Sequence, residues 1–181
     1  YALRAVPREA AGLVTPGLLA ARRLVVTDDG AGVAPALVAV LRERGLAAAV
    51  VTEVPPDADA VIFLGGLRAM ATVDEALAVH REAFRAAKAV AGRASAFVTV
   101  QDTHGDFGLS GAGIRAWSGG LPGLTKTAAQ EWPTAQCRAI DLQRNDRDAS
   151  VLARSLADEL LAGGTEAEVG LRADGSRLVL E

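Results

Sequence analysis

Apolar residues along this chain fall into short β-branched runs separated by stretches with helical spacing. The runs 23–27, 47–54, 59–64, 96–100 and 137–142 read as strands, and the first, short, apolar and β-branched, as one buried on both faces. Between them, residues 33–44, about 72–92, about 119–132 and 149–161 repeat apolar residues at helical spacing. Gly45 follows the first helix as a C-cap residue, and Pro133 stops the third. In the second helix Val73, Leu77, Phe84, Ala87 and Val90 make one stripe, which predicts the face that it buries. Residues 168–171 and 178–180 predict a closing hairpin or strand.

Strands alternating with helices predict an α/β domain with three layers and a mostly parallel sheet, doubly wound in the Rossmann manner. Residues 1–22 read as a loose entry arm with a possible edge strand, because a short extended piece gives way to Pro7, Gly12, Pro16 and Gly17. Residues 23–181 form the domain proper. The second and third strands are only four residues apart, too few for a helical crossover between parallel neighbours. The fold is therefore expected to be truncated there.

Composition narrows the partners. At 181 residues and 50% hydrophobic content the chain can bury one sizeable core. Its net charge of -3 mixes both signs without a basic block, which argues against nucleic acid and anionic membrane as partners. Cys137 is the only cysteine, so an internal disulfide and a cysteine zinc site are excluded. A lone thiol, no membrane-length apolar run and no signal peptide predict a cytoplasmic protein. A start at Tyr1 without methionine reads as a piece of something longer.

A dinucleotide fingerprint belongs in the turn between the first buried strand and its helix, where glycines let the backbone approach a pyrophosphate. The turn here runs Thr27-Asp28-Asp29-Gly30-Ala31-Gly32-Val33-Ala34. Gly32 could serve as one of the glycines, but Asp28 and Asp29 bring two carboxylates to the helix N-terminus. Two unit charges roughly 4 Å apart repel by about 4 kcal/mol at an effective dielectric near 20. Capping of the helix by these aspartates is the expected role, in a vestigial turn. Glu53 stands where a ribose-binding acid would be, without a phosphate cradle to support it.

Hydride chemistry of the short-chain dehydrogenase type needs a tyrosine and a lysine one turn later on the same helix face. The only tyrosine is Tyr1, and the lysines are Lys88 and Lys126, so no such pair exists. Asp102, His104, Asp106 and Ser110 share a polar, glycine-rich loop and are too few for a convincing metal site or serine–histidine pair. A solvated loop is expected there. His80 reads as a surface residue, Cys137 as inert core, and Trp117 and Trp132 as packing residues. Lys126, Glu131 and Arg138 read as solvated or paired at a subunit face. No catalytic, cofactor-binding or metal residue is assigned.

Three blocks carry a resemblance: 99–103 (Thr-Val-Gln-Asp-Thr), 119–133 (from Gly119-Gly120-Leu121-Pro122-Gly123 to Trp132-Pro133) and 137–142 (Cys-Arg-Ala-Ile-Asp-Leu). Together they resemble the ketoreductase region of type I polyketide synthases, close to the iterative or polyunsaturated-fatty-acid-like branch. Those ketoreductases contain two Rossmann-like halves, a truncated structural half and a catalytic half that holds NADPH and the tyrosine. The chain is similar to the structural half from Leu24 to Leu180, and 168–178 resembles the strand pair that precedes the catalytic half. On that alignment the catalytic tyrosine and lysine positions fall on Ile114 and Ser118, and Asp28 and Ala34 replace the outer glycines of the turn.

The resemblance implies a structural subdomain that binds no cofactor itself and supports the adjacent catalytic subdomain of the same polypeptide. That subdomain would use NADPH to reduce a β-ketoacyl chain on an acyl carrier protein, with other synthase domains as indirect partners. The contact is expected through the entry arm, the sheet edge and the final strands. Two other readings stay open: a diverged NADP-binding reductase in its own right, and a docking or dimerisation module of a megasynthase.

Overall fold

The computed structural model describes residues 2–111 and 116–181. One eight-stranded sheet runs through them, built from β1 (Ala5–Pro7), β2 (Leu24–Thr27), β3 (Ala48–Val51), β4 (Ala60–Gly66), β5 (Ala96–Gln101), β6 (Gln136–Leu142), β7 (Glu168–Leu171) and β8 (Arg177–Leu180). The spatial order is β1-β8-β7-β6-β5-β4-β2-β3. The strands β3 to β7 and β2 pair in parallel; β8 and β1 add an antiparallel edge. β2, β4, β5 and nearly all of β6 are buried along their whole length, as strands covered by helices on both faces must be.

Four helices supply the cover: α1 (Val33–Glu43), α2 (Val73–Val90), α3 (Gly120–Glu131) and α4 (Ala149–Ala162). α1 and α4 pack on one face, where Leu37, Leu41, Leu152 and Leu156 meet Val26, Ile62 and Val98. α2 and α3 pack on the other, where Val79, Ala83 and Leu121 meet Phe63 and Phe97. The expected three-layer α/β architecture is the observed one.

The truncation expected between β3 and β4 is present, and one expectation needs correction. β3 and β4 each pair in parallel with β2, one on either side. The short link between them crosses β2 without a helix, so the strand order reverses at β2. The stripe predicted for α2 holds at Ala87 and Val90 but fails at its three larger residues. The buried face is Ala76, Val79, Ala83, Ala86, Ala87 and Val90, while Val73, Leu77 and Phe84 are exposed. Alanines let α2 lie close to the sheet, and the larger side chains go outward.

The entry arm is held at several points. β1 pairs with β8, Leu13 bridges to Gly163, and Thr15 and Leu18 are buried. Its anchor is Arg138, fully buried on β6 and ion-paired with Glu159 of α4. Arg138 Nη1 also donates to Thr15 Oγ1 at 2.6 Å. Glu159 takes a second ion pair from Arg177 of β8 at 2.8 Å, and Arg177 reaches Glu166 at 2.9 Å. A solvated or subunit-face Arg138 is thus overturned: burial is tolerated because every part of the guanidinium is met by oxygen.

Candidate functional site

A parallel sheet whose order reverses leaves a crevice at the carboxyl ends of the strands flanking the reversal, the usual ligand position in such folds. Here that point is the end of β2, and the turn after it leads into α1. Gly32, at φ 88°, starts the helix in the left-handed region that glycine adopts without strain. The helix leaves its first N–H groups without partners in the chain of i to i−4 bonds. Asp29, only 2% exposed, supplies them. Ala34 N donates to Asp29 Oδ1 at 2.8 Å, while Ala31 N and Val33 N donate to Oδ2 at 3.1 and 3.3 Å.

The carboxylate therefore sits in the anion seat of α1. A helix N-terminus offers N–H groups and a positive dipole end to one anion, and this chain fills the place with its own side chain. Asp28 behaves differently. Its Oδ1 accepts from Gly30 N at 3.0 Å, closing the turn, and its carbonyl accepts from Arg68 Nη2 at 2.8 Å. Of the two aspartates only Asp29 caps the helix.

Beside the turn lies a cleft of about 650 Å³, lined among others by Asp28, Glu53, Phe63, Arg68, Glu82 and Arg85. Its apolar floor combines Phe63 and Val54 with Ala86 and Ala89 of α2. Arg68 crosses it to pair with Glu82 at 2.5 Å. Glu53 is exposed at its rim, so the residue at the ribose-acid position does face the cleft. Arg68 and Arg85 carried no motif and were not legible as members of this group.

The first part of the polar loop after β5 is not solvated, whereas 108–111 are exposed. Gln101, Asp102, Thr103 and Asp106 are all buried, and the organiser is Asp141, fully buried on β6. Thr103 N and Phe107 N donate to its two oxygens at 2.6 and 2.7 Å. Burial pushes the Asp141 carboxyl above its ordinary range, against the backbone bonds from Thr103, Phe107 and Gly105 that pull it down. His104 and Phe107 take left-handed backbone angles of 77° and 63°. Gly105, at 67°, approaches Leu171 so closely that a Cβ would lie 2.6 Å from its carbonyl oxygen. A charged residue inside the apolar run 137–142 was the signal for this knot.

The other singled-out residues disperse. Asp102 Oδ1 accepts from His104 N at 3.2 Å, and Asp106 Oδ1 from Gly108 N at 3.1 Å while pairing with Arg172 at 3.7 Å. Among the described residues no cluster of three or more His, Cys, Asp or Glu could hold a metal. Ser110 is exposed. His80 is half-buried rather than on the surface: its Nε2 lies 2.6 Å from the Trp117 carbonyl. Trp132 packs edge-on against Phe97 with ring centres 5.7 Å apart, whereas Trp117 is 40% exposed. Cys137 is buried and its thiol is pushed up to about 11 by burial. Lys126 pairs with Glu168 at 2.5 Å. Ser118 is buried, and neither its Oγ nor Gln101 Oε1 finds a hydrogen-bond partner among the described residues. Ile114 and Tyr1 lie outside the described residues.

No protein-family model matches the chain, and no curated protein sequence does. Solved structures do match. A carbonyl reductase from Pseudomonas aeruginosa PAO1 superposes with a TM-score of 0.57 at 13% identity, over 79% of this chain and 93% of that one. A Streptococcus pneumoniae TIGR4 protein ascribed NADH-flavin reductase activity gives 0.54 at 14% identity, over 76% and 92%. A double variant of a Serratia marcescens short-chain dehydrogenase/reductase gives 0.52 at 18% identity, over 78% and 89%. These likenesses define the class by fold alone: a Rossmann-like α/β domain with a mostly parallel sheet. Among the described residues no helix is long and apolar enough to cross a membrane.

Proposed function

We propose that this chain is the structural, non-catalytic half of a ketoreductase in a polyketide or polyunsaturated-fatty-acid type synthase. It buttresses a catalytic subdomain of the same polypeptide, which uses NADPH to reduce a β-ketoacyl group carried on an acyl carrier protein. One observation carries the reading: the Asp29 carboxylate occupies the N-terminal anion seat of α1, where a dinucleotide fold of this class would place its pyrophosphate. A phosphate brought there meets a negative charge and finds its donors already used. The sequence offers no tyrosine–lysine pair to donate a proton. Such a chain contributes surfaces and stability, and its cofactor belongs to its neighbour. The test is co-expression with the catalytic segment. Reduction of a model β-ketone should require these 181 residues; equal activity without them sinks the proposal.

The reductase fold of the structural neighbours and the cleft beside the turn favour a second reading, a diverged reductase that binds nucleotide itself. Arg68 and Arg85 are the cations it would use. Calorimetry of the chain with NADPH and NADH separates the two: micromolar affinity supports this reading, and no heat supports the structural one.

A further inference from the structure

We propose that Arg42 guards the open edge of the sheet, holding off a second copy of this chain that would pair with β3. β3 ends the strand order, and among the described residues no strand covers its outer side. Leu24 N donates to Ala47 O at 3.3 Å and Asp28 N to Val51 O at 3.0 Å. In a parallel ladder that alternation turns Ala47, Ala49 and Val51 toward β2. The N–H and C=O groups of Ala48, Val50 and Thr52 then point outward. An outward row of this kind is a template for a further strand. The segment invites one: Leu46-Ala47-Ala48-Ala49-Val50-Val51 has neither charge nor proline, and Val50 is 40% exposed. The opposite border is blunted differently. Arg4 N and Arg8 N bond to Glu181 and Arg177, so Pro7 of β1 faces outward, where it has no N–H to offer.

β3 has no such proline, and the last turn of α1 supplies the cover instead. Arg42 Nε donates to Ala48 O at 2.7 Å. Ala48 N is spent as well, donating to Leu46 O at 3.0 Å. A second copy is the occupant that this edge fits by its own symmetry. Two β3 strands laid antiparallel about an axis at Val50 exchange both Val50 N–H···O=C bonds. The same register sets Thr52 of each opposite Ala48 of the other. Each Thr52 N–H then needs the Ala48 carbonyl that Arg42 holds. The central pair of bonds is thus left open while the flanking ones are closed, and two bonds are too few to join two sheets. The device does not depend on the proposed function, because the edge needs cover whether or not the chain supports a reductase.

Sedimentation velocity of the intact chain over a range of concentrations tests it, with circular dichroism to verify folding. Arg42→Met and Arg42→Ala place good helix formers at an exposed position. A hydrogen bond from a charged donor is worth about tenfold in an equilibrium, so each variant should self-associate about tenfold more tightly than the wild type. Amide exchange at Val50 and Thr52 should slow in the associated variants. Arg44→Met, which loses only a 3.8 Å contact with Asp158, should behave as the wild type. Val50→Lys added to Arg42→Met should abolish the gain, because it puts a charge at the centre of the seam. Unchanged association in the Arg42 variants overturns the proposal. So does association that survives Val50→Lys, or an Arg44→Met variant that associates as tightly as Arg42→Met.

Discussion

Ala34 donates its backbone N–H to Asp29 Oδ1 at 2.8 Å, across five residues of turn and helix. The same carboxylate takes two further N–H groups, so one side chain serves as cap and counter-charge together. Replacing it with alanine removes both roles. Asp29→Ala should lose about 1–2 kcal/mol of stability in urea denaturation. It should also free the helix N-terminus, so that phosphate raises the melting temperature of the variant and leaves that of the wild type unmoved. Equal shifts in both would show that Asp29 does not hold the seat closed.

Removing the two members of the buried Arg138–Glu159 pair should have unequal effects. Glu159→Leu leaves Arg138, which is fully buried, without its carboxylate, and should cost about 3–5 kcal/mol. Arg138→Met leaves Glu159 still paired with Arg177 and should cost distinctly less. Chemical denaturation of both variants decides, and the reverse order would refute the hierarchy.

Asp141 ties the loop after β5 to β6. Asp141→Ala leaves the Thr103 and Phe107 N–H groups without their acceptor, and should cost about 2–4 kcal/mol. Limited proteolysis should then cut first within the glycine-rich loop 102–111. A variant no more sensitive there than the wild type would mean that other contacts hold the knot.

Acid should act through Glu166. Burial raises its carboxyl, but its own backbone N–H, the hydrogen bond and charge of Arg177, and the charge of Arg138 outweigh that and hold it below the ordinary value of 4.5. A depressed folded value means stability present above the unfolded value and lost as pH falls through the folded one. Glu166→Gln should therefore cost about 1 kcal/mol at pH 7 and progressively less at a second, acid pH, as the pH falls through the folded value. The raised Asp141 value works in the opposite direction, but it is common to both proteins and cancels in the comparison. Urea melts at the two pH values give the answer.

Element order was legible in the sequence because β-branched runs and helical spacing report burial on two faces or on one, as β5 and α1 show. What failed is what depends on neighbours distant in sequence. Nothing in 47–54 and 59–64 says that a third strand, β2, lies between them. Periodicity scored Phe84 as core because it weighs size, whereas the sheet accepted the alanine side of α2 to pack closely. Arg138 looked solvated because its acceptors, Thr15 and Glu159, come from segments that the chain brings together only on folding. The capping role of Asp29 was legible because its partners lie within five residues. Asp141 was signalled only as a charge inside an apolar run; what it binds was not legible, because its partners lie more than thirty residues away.

β1 pairs only with β8, and the contact between Arg8 and Glu181 beside them spans 173 residues. During synthesis β1 thus has no strand to pair with until β8 has been made, although Thr15 and Leu18 of the arm find their partners on earlier elements, and closing so long a loop comes late among the folding events. The strand at that border should be the last to lock and the first to open, so its amides should exchange with solvent earliest of any in the sheet.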